Sequence, residues 1–185
     1  MKKFLILFGS VLGLMAIVNL ASFFLVGKES EENISRQGKE VIELIDTAEY
    51  EEARNVLESF EEKDIEYYTL KEALILEEDS DMKEEELKNL YIEATDAHPS
   101  WVHMQQMASY ALILEGNYEA ASYRLLGTLY QDAEDPITYY YLGVVSYHQG
   151  EYDAMRANFS KAIEYGLNEE KQKEILWYAE QVGDE

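Results

Sequence analysis

Gly116 and Gly150 sit in matching surroundings, and the step between them constrains the fold more than any other feature of the chain. Gly116, Tyr118, Ala120, Ala121 and Leu125 align with Gly150, Tyr152, Ala154, Met155 and Phe159. The same step carried back reaches Met82 and then Ala48, which divides the chain into four registers, 34–67, 68–101, 102–135 and 136–168. The first keeps Tyr50, Ala53, Leu57 and Phe60; in the second, Tyr91, Ala94 and Pro99 fall on equivalent positions. Units of this length bury their apolar faces against one another, so the copies are expected to stack.

Inside each register the apolar residues follow helical spacing. Val41, Leu44 and Ile45, then Ala53, Val56, Leu57 and Phe60, mark two helices of the first, and Leu70, Ala73 and Leu74, then Leu87, Leu90, Tyr91 and Ala94, mark two of the second. Asp135 before Pro136 reads as an N-cap with proline at the first helical position, and Ser100 after Pro99 is expected to cap the next helix in the same way. Gly166 ends a helix and Asn168 caps another, whose first turn holds Glu169 and Glu170. No stretch alternates with period two, so the fold class is all-α. Small residues such as Ala53, Ala94, Ala121 and Ala162 let helix axes approach to about 8 to 10 Å. Gly143 is expected to admit a close contact inside one helix pair, and Gly150 a tight turn.

The stretch from Tyr139 to Ala162 carries an aromatic, Leu-Gly, a turn glycine, a further aromatic, Phe and Ala at Tyr139, Leu142, Gly143, Gly150, Tyr152, Phe159 and Ala162. In these residues the chain resembles the tetratricopeptide repeat family, whose unit is about 34 residues long. It departs from the family pattern at Ser146, Met155 and Leu167. The resemblance implies a right-handed α-solenoid of about four helix pairs. Residues 169–185, with Ile175, Leu176, Tyr178 and Val182 on one side, are expected to form a capping helix and tail, because an open array end would expose the face that inner repeats bury.

Before the repeats, Lys2 and Lys3 precede an unbroken uncharged run from Phe4 to Val26. It is long enough for a transmembrane helix, so residues 1–27 are expected to be an uncleaved single-pass anchor, with 28–33 as a linker. A cleaved signal peptide with its exit before Ser22 is the alternative. Positive charge before the run keeps the N-terminus cytoplasmic and places the repeat domain outside the cytoplasm. Gly9 and Gly13 would let two such helices pack closely, and a homodimer is then possible.

The formal net charge is −23, with 38 acidic against 15 basic residues. Such a field repels nucleic acid and anionic headgroups and favours a basic partner. Cysteine is absent, which excludes disulfides and thiolate chemistry. His98, His103 and His148 are too dispersed for a helical ligand pair, and Glu77, Glu78, Asp79 and Asp81 lack the glycine and spacing of a calcium loop. With no phosphate-binding loop and no nucleophile motif, neither an enzyme nor a cofactor is expected.

The resemblance also implies where a partner would lie. In the family the first helix of each pair faces a concave groove, which here points to His103, Gln106 and Tyr110 of the third repeat, Tyr140, Tyr147 and His148 of the fourth, and Glu72 and Asp79 of the second. Such a groove suits a peptide with apolar and basic side chains. A small change of register would instead put several of these positions in the core, because one residue rotates a helix by about 100°. The function expected is a membrane-tethered scaffold that binds a protein or peptide, in envelope assembly or secretion. The alternative is a structural membrane protein that associates with itself.

Overall fold

In a computed structural model, residues 34–183 are described. They form α1 (Arg36–Asp46), α2 (Tyr50–Glu58), α3 (Ile65–Glu77), α4 (Lys83–Ala97), α5 (Val102–Leu114), α6 (Tyr118–Thr128), α7 (Pro136–Gln149), α8 (Tyr152–Glu164) and α9 (Glu169–Val182). No strand occurs among the described residues, and the fold is all-α. The expectation of an anchor helix ahead of the array is corrected: among the described residues no helix is long and apolar enough to cross a membrane. Phe4 to Val26, with Gly9 and Gly13, lies outside the described residues.

The chain divides into two units, with the boundary between Leu90 and Tyr91 inside α4. In the first, α1, α2 and α3 pack on one another around Val41, Ala53, Leu57, Tyr68 and Leu74, all buried. Ser35 caps α1 by accepting from the Gly38 N–H at 2.9 Å, and its own N–H donates to Glu66 Oε1 of α3 at 2.9 Å. A Cβ at Gly38 would overlap that carboxylate, so the glycine leaves room for the Glu66 side chain at the start of α1. Arg54 of α2 donates to Glu78, beyond the end of α3, and to Glu86 at 3.1 Å.

In the second unit, α5 packs with α6 and α7, α6 with α7, α7 with α8, and α8 with α9. Ala121, Leu125, Phe159 and Ala162 are buried, and Gly143 of α7 lies against the Phe159 ring so closely that a Cβ there would overlap it. Asp135 caps α7 by accepting from the Thr138 N–H at 2.8 Å, with Pro136 in the first turn. Asn168 caps α9 by accepting from the Lys171 N–H at 2.9 Å. Trp101, not Ser100, occupies the cap position of α5, and no side chain bonds there.

Three turns at multiples of the repeat step share one geometry, which Gly166 also takes after α8. Ala48, Gly116 and Gly150 all take the left-handed conformation, with φ of 58°, 76° and 76°. At each, the N–H of the following residue reaches back five positions: Glu49 to Leu44, Asn117 to Leu112 and Glu151 to Ser146, all at 2.8 Å. The N–H of the left-handed residue itself bonds three positions back, to Ile45, Ile113 and Tyr147. This is the paired bonding that satisfies the last carbonyls of a helix. Each turn then delivers a tyrosine, Tyr50, Tyr118 or Tyr152, to the start of the next helix.

The second register departs from this. Ala48 is the one non-glycine residue with positive φ among the described residues, so Met82 does not make the same turn. Asp64 accepts from the Tyr67 N–H at 3.1 Å and starts α3 at Ile65, ahead of the register boundary at 68. The helix consequently ends at Glu77, and residues 78–82 form a longer connection.

Candidate functional site

The groove expected on the first helices is largely closed. Tyr140 is 3% exposed: its hydroxyl donates to Glu174 of α9, and the Lys171 ammonium of α9 sits 4.3 Å from its ring centroid. Tyr147 meets Tyr178 edge-on at 4.8 Å and lies 6.4 Å from Trp177, both on α9. The reason is the C-terminal helix, which lays Lys171, Glu174 and Tyr178 over that face of α7. Gln106 is also buried, donating to Thr138 Oγ1 at 3.0 Å and to Asp135, while Thr138 shares a 2.8 Å hydroxyl contact with Thr128. Gln106, Thr128 and Thr138 belong to the structural joint between α5, α6 and α7.

The remaining groove candidates scatter. Tyr110 is half-buried, 5.6 Å from the Tyr141 ring, and His103 is half-buried beside Trp101 at 6.0 Å. His148 stacks on Tyr118 of α6 at 5.1 Å with the rings 5° from parallel, and partial burial holds its pKa below the usual 6.5. In the other unit, Glu72 is buried, whereas Asp79 lies past the end of α3 and is exposed. The two acidic residues therefore do not share a helical face, because α3 starts and stops early.

The cluster beneath α9 is electrostatically unusual. Burial, then the Glu174 charge, pushes the Tyr140 phenol far above its ordinary 10.0, and the same two causes raise Tyr178. Burial lowers the Lys171 ammonium below 10.5, with Glu174 and Glu170 opposing that shift. Lys171 Nζ lies 4.0 Å from Glu174 Oε1 and is 6% exposed. One carboxylate thus serves both a buried phenol and a buried ammonium, which suits a fixed joint. No group of side chains able to hold a metal ion occurs among the described residues, and no buried side-chain nitrogen or oxygen among them lacks a hydrogen bond.

An open apolar surface exists elsewhere in this unit. Tyr123 and Tyr130 are 82% and 94% exposed, and Leu126 is 50% exposed. Ala121, Leu125 and Thr128 of α6 turn inward, so Tyr123 and Leu126 face away, and Tyr130 lies in the turn just past the helix end. With Pro99, Leu112 and Ala120 they border a trough of about 1060 Å³ running along α5 and α6. Gly127 lies in its lining, and a Cβ there would meet nothing within 4 Å. Arg124, also in the lining, donates to Gln105 Oε1 at 2.8 Å. The sequence signal for this surface is a short helix with apolar residues on both sides.

Among the described residues, fold and surface together define an all-helical protein built from repeated hairpins, with a buried aromatic joint and an open tyrosine-lined trough. No family model, no curated protein and no solved structure matches the chain.

Proposed function

We propose that the chain is a repeat scaffold of the tetratricopeptide type that holds a protein partner and performs no chemistry of its own. The observation that carries this reading is the trough on α5 and α6, where Tyr123, Leu126 and Tyr130 stay in water while Tyr139, Tyr140 and Tyr141 of α7 are buried. Clustered exposed aromatic side chains are costly to leave uncovered and are enriched at protein interfaces. The equal turns at Ala48, Gly116 and Gly150, which recur at one repeat length and at twice that length, support the repeat assignment. The partner is then held on the second helix of a pair, not on the first-helix face that the family resemblance implies.

The test is site-specific photocrosslinking in cells expressing the full chain, with the reactive residue at position 123 and, as control, at exposed position 157 of α8. Adducts of defined mass to another protein at 123, absent at 157, are the expected outcome. Equal labelling at both sites, or none, would overturn the scaffold reading. Adducts only between two copies of the chain would replace it with self-association.

A further inference from the structure

We propose that the trough along α5 and α6 takes a basic amphipathic helix of a partner protein. Its apolar side chains would lie on Tyr123, Leu126 and Tyr130, and its lysines or arginines against the acidic margin. This rests on the scaffold reading and specifies the chemistry of what is held.

The spacing sets the shape of the occupant. Tyr123 and Leu126 stand about one turn apart on α6 and Tyr130 two residues past its end, an apolar line that the i, i+3 or i+4, and i+7 side chains on one face of a second helix can follow. Gly127, between Leu126 and Tyr130 in the chain, is exposed and a Cβ there would meet nothing within 4 Å, so an apolar side chain can approach the backbone at this point. The tyrosines combine a broad apolar ring with a hydroxyl that can stay hydrated, as interface anchors commonly do.

Charge sets the sign of the occupant. From Glu115 to Asp135 the chain holds five acidic side chains and one basic one, Arg124, whose guanidinium is already engaged by Gln105. Glu119 lies in the lining itself, and Asp132 directly follows Gln131 of that lining in the chain. Arg124 offsets Glu119 within the lining, but the surrounding segment is net negative, so an acidic partner, a nucleic acid or an anionic lipid surface would meet net repulsion. A basic helix gains both apolar burial and attraction, and its association is faster at low salt.

The experiment uses the full chain and a fluorescein-labelled helical peptide of about 14 residues, or about 21 Å. Leu and Phe stand at i, i+3 and i+7, with Lys on the remaining face. A second peptide carries Glu in place of every Lys. Two variants probe the trough: Tyr123→Ala with Tyr130→Ala, which removes the anchors, and Gly127→Leu, which adds a side chain to the lining at a position whose Cβ meets no neighbouring atom. Fluorescence anisotropy should show the Lys peptide binding the unaltered chain and losing about tenfold or more in affinity with either variant, a loss of a single hot spot's size. Both variants should keep the circular dichroism and melting of the unaltered chain. The Glu peptide should not bind. Equal binding of the two peptides would overturn the charge assignment, and a Lys peptide indifferent to both variants would reduce the effect to general attraction by an acidic protein. Self-association that Gly127→Leu abolishes would assign the trough to a second copy. Crosslinking at position 123 without Lys-peptide binding would overturn this inference alone; the absence of both would overturn the scaffold reading as well.

Discussion

Two pairs of tyrosines, each seven residues apart in the same unit, have opposite fates. Tyr140 and Tyr147 are packed beneath α9, with a hydroxyl bonded to Glu174 and rings against Lys171 and Tyr178. Tyr123 and Tyr130 stand almost wholly in water. Tyr140 and Tyr147 share one face of α7, whereas Tyr123 stands on α6 with Tyr130 in the turn past its end; only the next element decides whether such side chains are covered. A C-terminal helix reaches α7; among the described residues of the second unit, nothing covers the outer side of α6. An aromatic stripe is therefore core or binding surface according to its neighbour, and mutational energetics separate the two cases.

The largest expected effect is at Tyr140. Tyr140→Ala empties a site filled by a ring and leaves Lys171 and Glu174 in the cavity, so it should cost about 3 to 5 kcal/mol, the range for deleting a buried aromatic. Denaturant unfolding compares it with Phe159→Ala, which should fall in the same range. If Tyr140→Ala were nearly silent, α9 would not be docked on α7 in solution. Tyr140→Phe keeps the ring and loses only the bond to a carboxylate. It should cost less, about 1.5 to 3 kcal/mol.

The pH dependence sharpens the same contrast. Tyr140 and Tyr178 hold their protons in the fold to values above 10.0. As pH climbs past 10.0 the unfolded chain loses those protons first, so stability present below that value declines. Lys171 acts with the opposite sign: between its lowered folded value and 10.5 the unfolded chain binds more protons, so its contribution rises with pH through that window. Two phenols against one ammonium should yield net alkaline destabilisation. Melting curves from about pH 7 to 11 should show it, and Tyr140→Phe should flatten it; an unchanged profile would place the phenol in solvent. The smallest expected effect is at the open pair, where Tyr123→Ala or Tyr130→Ala should alter stability by no more than about 0.5 kcal/mol.

The turns are the most legible part of the chain, because a left-handed residue and its flanking bonds are local. Ala48 shows the reach of the recurrence: the repeat step points to it without a glycine, and its φ is 58°. The cost of holding alanine there should appear as stabilisation on Ala48→Gly by about 1 kcal/mol, read from thermal melts. The same step points to Met82, where it fails, since Asp64 offers an earlier cap and moves α3 ahead of its register. That shift carries Asp79 off the helix. The groove assignment fails at Tyr140, Tyr147 and Gln106 for another reason. Their contacts come from distant parts of the chain, on α7 for Gln106 and on α9 for the tyrosines, and no local period reports them. Tyr123 and Tyr130 escape a reading that follows the family pattern onto first helices, because Tyr123 stands on the outer side of a second helix and Tyr130 in the turn that follows it.

Lys171 gives the docking of α9 a chemical clock. An amine acylates only as the free base, and burial makes Lys171 easier to deprotonate than an ordinary lysine. Yet it lies under two tyrosine rings at 6% exposure, while Lys173, two residues on, is exposed. Acetic anhydride should therefore mark Lys173 quickly and Lys171 only when the helix lifts away. The ratio of the two rates, followed by mass spectrometry, counts how often the end of the array opens.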